Sequence, residues 1–448
     1  MTVSQPAASG QRNAVSVGLD PLSVLGFIYE RRAFVTPGPD MRYVYGTYQI
    51  TPGGTLDTAI TLVEAALDMG NSGAATAVMH ATEHTLAFTK TPATYEPTPN
   101  ILYGEQMETW QERYYPDGQR PSYEAQVQSQ QIEAVPPQYS ETFSVGEHAN
   151  SRKSLPIGAT DVRLADRRYL RYLKVCLVRG LMAAGYTPGH YYMGLSVGIR
   201  NDEVNAQMGV DASVQEALSA LTQPFTIVRN GTDVWSIDIR ESFPLPQSFG
   251  THYALDTGIL GQVLNPTITN WTILDLGYND GHVLEVVRPG KGSLRVTGQK
   301  VVSGVVDVAR GLVGELRKAE NFPLVPSDLS DAEAIALLHS EQLTIGGVPL
   351  NDPAEAKRAT RVIRAYKDKE GGSLIATMAA RHTRLDSTFI YTGGGNSEFG
   401  PQIVSQMRVA QRPDHLYKVL PPEVARFANA AGLYWMLNVR KRPRTVLR

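Results

Sequence analysis

Apolar positions near the start of the chain follow two spacings that predict different elements. Residues 15–19 alternate in polarity and end at Asp20, and another apolar run covers 22–28, which together predict a β-hairpin. Residues 56–67 carry apolar side chains three to four positions apart, and 74–88 repeat this spacing more weakly. Because this period places apolar side chains on one face of a helix, we predict two helices here.

The following segment differs in composition from the rest of the chain. Residues 91–140 are rich in Pro, Gln, Glu and Tyr and poor in aliphatic residues. This composition is typical of a surface insertion and not of a core segment, so we predict an insertion at about 50–140. Regular patterns then return. They predict strands at 191–199 and 388–391, a hairpin turning at Asn230-Gly231 and a hairpin of 271–276 with 283–287. They also predict a helix ending near Gly185 and helices at 305–316, from Ser330, from Asp352 and at 422–438.

Length, charge and cysteine content narrow the class of protein. The chain has 448 residues and a net charge of −2, so we expect two domains or lobes and not a generally basic nucleic-acid binder. The single cysteine, Cys176, excludes a disulfide framework and a Cys-rich zinc site. Because no long apolar run is present and residues 1–13 lack an apolar signal core, we expect no membrane contact and a cytoplasmic location.

Three segments combine a strand with a turn suited to phosphate chemistry. They are Val17 to Asp20, Ile273 to Val283 and Phe389 to Asn396. A carboxylate at a strand end can hold Mg²⁺ through water, since this ion dehydrates reluctantly. A tight turn points backbone N–H groups at phosphate oxygens, and glycines let a ligand approach the backbone closely. Each segment alone also fits an ordinary turn, but their order along the chain is more specific.

This ordered set resembles the superfamily of actin, sugar kinases and heat-shock chaperones, and within it the bacterial actins of the ParM/StbA plasmid-segregation type. The resemblance covers residues 15–35 and 140–440 and leaves 50–138 unmatched. Four further segments agree with it: Phe143–Ala149, Leu195–Ile199, Pro246–Gly250 at the start of an interdomain helix, and Pro422–Val439 as the closing helix.

The resemblance implies an α/β fold of the bilobed actin-like (ribonuclease H-like) kind, with two lobes around a nucleotide cleft. Its implied divisions are a tail at 1–14, a first lobe at 15–246, a second lobe at 247–420, and at 421–448 a closing helix that returns to the first lobe and a basic tail. The implied cofactors are ATP or GTP and Mg²⁺.

Roles for individual residues follow from the same resemblance. Asp20 and Asp275 would lie beside the metal ion and assist catalysis, and Gln247 would orient the attacking water. The implied phosphate contacts are Ser23, Gly277, Tyr278, Asn279, Asp280 and Gly281, and the implied contacts on the adenosine side are Thr392, Gly393, Gly394, Gly395 and Asn396.

Both phosphate turns depart from the family's pattern. Pro21 follows Asp20 and offers no N–H group, no lysine is present in that turn, and only Ser23 could donate. Asp280 would repel a γ-phosphate unless a metal ion or a proton intervenes. Two outcomes stay open: altered nucleotide binding with slow hydrolysis, or a fold that has lost nucleotide binding.

The implied function is a filament-forming actin-like protein for plasmid or DNA segregation, with nucleotide hydrolysis left uncertain. Its partners would be further copies of itself, joined head to tail, and a DNA-binding adaptor. Two alternatives are a non-hydrolysing scaffold or regulator and a small-molecule kinase of the same superfamily. His80 and His84 could share a helix face and bind a metal, although a surface pair is the simpler interpretation.

Overall fold

The computed structural model describes residues 49–50, 60–70, 73–82, 86–97, 108–115, 120, 122–128, 138–146, 165–201, 212–256, 265, 267–290, 293–318, 321–322, 324–327, 329–345, 348–381, 386–411 and 416–441. The predicted hairpin at 15–28, with Asp20 and Ser23, lies outside these residues.

Strands within the described residues form a large sheet, a smaller sheet and a short hairpin. Their bounds are β1 (Gln49–Ile50), β2 (Ile60–Met69), β3 (Gly73–Met79), β4 (Leu86–Pro92), β5 (Tyr95–Pro97), β6 (Trp110–Tyr114), β7 (Gln138–Tyr139), β8 (Phe143–Val145), β9 (Gly189–Ile199), β10 (Phe225–Arg229), β11 (Asp233–Pro246), β12 (Asn270–Leu276), β13 (Asp280–Gly290), β14 (Ser293–Ser303), β15 (Thr344–Ile345), β16 (Val348–Pro349), β17 (Thr388–Thr392) and β18 (Tyr417–Val419).

Helices cover the sheets and connect them. Their bounds are α1 (Tyr123–Gln128), α2 (Arg167–Ala183), α3 (Ala212–Thr222), α4 (Gln247–Asp256), α5 (Val305–Leu316), α6 (Asp331–Ser340), α7 (Pro353–Tyr366), α8 (Gly372–Ala380), α9 (Asn396–Val409) and α10 (Pro422–Lys441), with a π-helical turn at Lys367–Gly371 between α7 and α8.

The same strand order occurs in both sheets. The smaller sheet runs β14-β13-β12-β17-β18, and one side of the large sheet runs β4-β3-β2-β9-β11. In each, the first three strands are antiparallel neighbours and the last three are parallel neighbours. The large sheet with its helices is called the first lobe and the smaller sheet with its helices the second lobe.

Helices α4 and α10 cross between the lobes at an unusually short separation. A Cβ added to Gly250 of α4 would collide with the backbone of Asn429, and one added to Gly432 of α10 would collide with the backbone of Gly250. Apolar side chains from both sheets meet around this crossing, including Leu245 and Trp271. The two glycines therefore allow the helices to join the lobes through one continuous core.

The two helices predicted at 56–67 and 74–88 are wrong. These residues form β2, β3 and β4, and β2 lies inside the large sheet between β3 and β9. Leu62 to Met69 are buried without a break, because an interior strand covered on both faces needs no polar side. His80 therefore follows a strand, and His84 lies outside the described residues.

The segment interpreted as a surface insertion also contributes to the core. Trp110 of β6 is fully buried, and Tyr95 of β5 is stacked on Phe143 of β8 with ring centroids 5.0 Å apart. The charged residues that made this region look peripheral are paired internally, as in the ion pair of Lys174 with Glu112. Composition alone hid these strands, since paired charges tolerate burial.

Several local predictions are confirmed where the turn chemistry is explicit. Asn230 and Gly231 both have positive φ, as a two-residue hairpin turn requires. Ser330 and Glu333 form the expected capping box at the start of α6. The predicted strands at 191–199, 271–276, 283–287 and 388–391 and the predicted helices at 305–316 and 422–438 all lie within observed elements.

Candidate functional site

Two β-hairpins, one in each lobe, have equivalent turns. Asp68 of β2 and Asp275 of β12 each stand one residue before the last paired position of their strand. Four residues separate the closing pairs of each hairpin, 70–73 and 277–280, here called the loops; 71–72 lie outside the described residues. Both loops begin with glycine. A Cβ added to Gly70 or Gly277 would lie 2.5 Å from the carbonyl oxygen that ends the same loop, so neither position accommodates a side chain.

Both hairpins open onto one cleft. Its walls come from the two loops, the glycine turn after β17, and residues of α4, α6, α9 and α10. The lining residues are Asp68, Gly70, Gly73, Ala75, Lys90, Gln247, Asp275, Gly277, Tyr278, Asp280, His282, Val305, Ile335, Gly393, Gly394, Gly395, Glu398, Ala425, Arg426 and Asn429.

Asp275 is held rigidly at the base of this cleft. Its Oδ2 accepts hydrogen bonds from Asn429 Nδ2 at 2.8 Å and Ser248 Oγ at 3.3 Å. Burial raises the pKa of the Asp275 carboxyl, and nearby His282 and the two hydrogen bonds act in the opposite direction. The helices that join the lobes therefore also position this carboxylate.

The loop at 277–280 is supported from behind by helix α5. The backbone N–H groups of Val305 and Val306 donate to the carbonyl oxygens of Gly277 and Tyr278, at 3.3 and 2.9 Å. Gly304 makes this possible, because a Cβ there would collide with the loop backbone. The arrangement fixes the loop and leaves its other side turned toward the cleft.

A glycine turn follows β17 on the same side of the cleft. Gly393 has φ +89°, and a Cβ there would collide with Asp275 Oδ1 and the carbonyl of Leu276. The N–H of Gly395 donates to that same carbonyl at 2.9 Å. A Cβ on Gly394 would meet only Lys90 Nζ, at 3.8 Å, so a ligand can approach the backbone closely at this position.

Two cationic side chains line the cleft, and a third pairs with Asp280 of its wall. Lys90 projects from β4 of the first lobe, and Arg426 from α10. The pKa of Lys90 is lowered, chiefly because the surrounding protein desolvates its ammonium group, while Asp68 raises it. Arg200, at the end of β9, places Nε 4.0 Å from Asp280 Oδ2 across the lobe boundary. These groups offset part of the negative charge of the acidic residues that line the cleft, and Lys90 and Arg426 can contact an anionic ligand there.

No protein-family model and no curated protein sequence matches this chain. Solved structures do match it in three dimensions. The actin-like protein Alp7A is 12% identical with a TM-score of 0.57, covering 85% of this chain and 97% of that one. An archaeal actin homologue in complex with ADP is 17% identical with a TM-score of 0.52, covering 83% and 98%. The chain has the actin-like fold.

A third neighbour of this fold is the ParM of a 15-stranded filament from Clostridium botulinum. It is 12% identical with a TM-score of 0.54, and the match covers 85% of this chain and 99% of that chain. The predicted α/β, bilobed actin-like fold class is therefore confirmed, and so is the resemblance of the fold to ParM-type bacterial actins.

The structure brings most of the predicted site residues together. Gln247, Asp275, Gly277, Tyr278, Asp280 and Gly393 to Gly395 line the actin-like cleft, and Asn279 and Gly281 belong to the same turn. Thr392 is fully buried behind the cleft, with Oγ1 3.4 Å from Thr251 Oγ1, so its side chain supports the turn from below. Asn396 is the first residue of α9.

Sequence reasoning missed the first-lobe hairpin and its aspartate. Residues 67–70 are Leu-Asp-Met-Gly and residues 274–277 are Leu-Asp-Leu-Gly, so one four-residue pattern occurs twice and ends a strand both times. The repeat was hidden because the alanine-rich run before Asp68 has helical spacing. Lys90, Arg426, Asn429 and Glu398 were also missed, since tertiary packing alone brings them to the cleft.

The donor set of the cleft fits a nucleoside polyphosphate with one Mg²⁺ ion. Asp68 and Asp275 offer carboxylate oxygens from opposite walls, and Mg²⁺ needs only one or two of these because it keeps several waters. Among the described residues no group of three or more His, Cys, Asp or Glu side chains could hold a metal ion. Phosphate oxygens would face the loop N–H groups and Lys90.

Within the part of the chain that the structure describes, every helix is too short or too polar to cross a lipid bilayer.

Proposed function

We propose that this chain binds ATP or GTP with Mg²⁺ between its lobes and assembles head to tail into filaments that segregate plasmid or other DNA. The observation that carries the proposal is the pair of hairpins with equal register, each ending in an aspartate and a glycine-led loop, on opposite walls of one cleft. Opposed turns of this kind suit a polyphosphate, because backbone N–H groups of tight turns can bind phosphate oxygens.

The proposal places the first lobe at 15–246, the second at 247–420, and the closing helix with its basic tail at 421–448. Lys90 takes over the charge neutralisation that the first turn was expected to supply, and Arg200 offsets Asp280. The bound Mg²⁺ would neutralise phosphate charge and polarise the terminal phosphoryl group. Asp68 and Asp275 would hold its water shell.

Hydrolysis in this proposal depends on Gln247. It is the first residue of α4, lines the cleft and is half-buried, so its amide can hold a water molecule near the phosphate end without removing a proton. Phosphoryl transfer needs positioning and charge neutralisation more than a strong base.

Filament formation is supported by relatives of the fold, among them the ParM of a 15-stranded filament. Contacts that join different faces of successive subunits extend without closing when the rotation between subunits does not form a ring. We propose a cytoplasmic setting and a DNA-binding adaptor as the link to cargo.

Sedimentation and light scattering of the full chain test the proposal, with ATP and Mg²⁺, with ADP and Mg²⁺, and without nucleotide. We expect pelleted polymer only with nucleotide, and a thermal shift equivalent to about 2.7 kcal/mol at a nucleotide concentration 100 times its Kd. Asp275→Asn should remove most of the thermal shift and of the pelleted polymer at the same nucleotide concentration. Asp307→Asn is the matched control, because Asp307 lies on α5 outside this cleft. Unchanged scattering and melting at millimolar ATP would contradict the proposal.

A further inference from the structure

Arg113 differs from the other buried lysine and arginine side chains of the described residues, because no carboxylate pairs with it. The others each have a carboxylate oxygen within 4.0 Å, namely Lys174, Arg200 and Lys367. Arg113 is 6% exposed and makes one hydrogen bond, from Nη1 to the carbonyl oxygen of Gln126 at 2.7 Å. Its Cζ also lies 5.3 Å from the ring centroid of Tyr139. Because a buried charge without a partner is costly, this arrangement indicates a binding role.

The side chain of Arg113 lies on the face of β6 that points away from helix α2. Glu112, its neighbour in the strand, forms an ion pair with α2, and successive side chains of a strand point to opposite faces. Arg113 stands directly opposite Tyr139 of β7, and Gln111 stands opposite Val228 of β10. These four side chains therefore share the outer face of the large sheet.

A surface pocket of about 350 Å³ opens on this face. Its described lining residues are Gln111, Arg113, Tyr139, Val228 and Gly231, none of which is acidic. Arg113 Nε is enclosed without a hydrogen-bond partner, whereas Nη2 makes no hydrogen bond and is open to solvent. Guanidinium N–H groups suit carboxylates in geometry and charge. The pocket therefore offers a donor to a carboxylate that enters from outside.

Two exposed apolar side chains lie near Arg113. Tyr139 is 48% exposed, and Val127, which follows Gln126 on α1, is 49% exposed. Tyrosine and arginine together are typical of the residues that dominate protein–protein binding. A small carboxylate would leave these apolar surfaces in water, so an acidic side chain on a protein segment fits this surface better.

The carboxylates of this chain itself are poor candidates for that occupant. A two-fold contact between copies would place two guanidinium groups against each other, which Coulomb repulsion disfavours. Many solvent-accessible acidic side chains already face a cation of the same chain, namely Asp233, Asp307, Glu315, Asp331, Glu341 and Glu370. A separate protein is thus the better source of the carboxylate.

We propose that this pocket docks an acidic segment of a separate partner protein. The partner's carboxylate pairs with the guanidinium of Arg113, and an apolar side chain beside it packs on Tyr139 and Val127. The surface lies on the first lobe outside the cleft between the lobes, so the proposal does not depend on the nucleotide site.

Fluorescence anisotropy of the full chain with short labelled peptides tests this proposal. In one peptide glutamate alternates with leucine and serine, and its counterpart has glutamine at every glutamate. Because charge-assisted hydrogen bonds are stronger than neutral ones, the glutamate peptide should bind at least about tenfold more tightly. Arg113→Met should remove this preference, and Arg113→Lys should keep part of it as a point charge.

Arg240→Met is the matched control and should keep the preference. Arg240 also lies over a tyrosine ring, with Cζ 4.6 Å from the centroid of Tyr192, but it pairs with Asp238 and does not line this pocket. Tyr139→Ala, at an exposed position, should weaken binding of the glutamate peptide about threefold. Equal binding of the two peptides, binding of neither, or an unchanged preference in Arg113→Met would overturn the proposal.

Two further measurements separate the alternatives. Arg113→Met should unfold at the same temperature or higher, because it removes a buried charge without a carboxylate partner. A large fall in melting temperature would assign Arg113 to stability and would overturn the proposal. Sedimentation velocity without peptide or nucleotide tests for a second copy as occupant. Self-association of the unaltered protein that is lost in Arg113→Met would overturn the assignment to a separate partner.

Discussion

The hairpins β2–β3 and β12–β13 share one register and differ in what surrounds their aspartates. Asp275 is fixed by Ser248 and Asn429 from the two helices that join the lobes. Near Asp68 stands Lys90, from β4 on the far side of β3. The second lobe thus supplies a rigid acidic wall that also contains Asp280 and Glu398, while the first lobe supplies the cation. The two hairpins therefore share a backbone register, but the charged residues around them differ between the two sides of the cleft.

The largest effect is expected at the first glycine of each loop, where alanine tests whether the two hairpins are equivalent. Gly70→Ala and Gly277→Ala would each push a Cβ to 2.5 Å from a carbonyl oxygen, and each should cost about 2–3 kcal/mol of unfolding free energy in chemical denaturation. Gly314→Ala is the control, because nothing lies within 4 Å of a Cβ there and alanine favours the helix. A large loss at only one hairpin glycine would break the equivalence.

The two aspartates should both matter for nucleotide affinity. Asp275→Asn and Asp68→Asn should weaken binding of ATP with Mg²⁺ by about 100-fold, or about 2.7 kcal/mol, because each removes a carboxylate from the ion's water shell. Asparagine can still accept the bonds from Ser248 and Asn429, so folding should be retained. Calorimetry provides the affinity. If Asp68→Asn binds ATP with unaltered affinity, the Asp68 carboxylate does not help to hold the metal ion, and only the second lobe would do so.

Lys90 tests the asymmetry between the lobes. Lys90→Met should weaken ATP binding by about tenfold, and Lys90→Arg should keep most of it. Because burial lowers the pKa of Lys90, raising the pH removes its proton earlier than in an ordinary lysine, and affinity for the anionic ligand should fall. In Lys90→Arg this fall should vanish, since arginine stays protonated. The same pH dependence in both proteins would assign it to another group.

Gln247 gives the smallest expected effect on binding. Gln247→Ala should slow phosphate release from ATP by about tenfold, or about 1.4 kcal/mol in the barrier, while pelleting with ATP stays unchanged. The reason is that its amide would position water and would not hold the nucleotide. Equal phosphate-release rates in the two proteins would remove the role proposed for Gln247.

The sequence by itself determined elements whose ends carry explicit turn chemistry. The capping box at Ser330, the hairpin at Asn230 and the strand that carries Asp275 near its end could all be predicted, because neighbouring residues decide those conformations. The glycines after β17 were predicted on the same grounds. The order of these segments also indicated the actin-like fold.

The tertiary structure decided the rest of the site. Residues 56–67 have helical spacing, yet pairing with β9 and burial of both faces make β2 a strand. The partner strand lies far away in the sequence, so local spacing does not reveal it. Lys90, Asn429 and Glu398 lie far apart in the chain and reach the cleft only because two sheets of the same order are joined by α4 and α10. Local sequence sets the turns, whereas long-range packing selects which charged side chains face them.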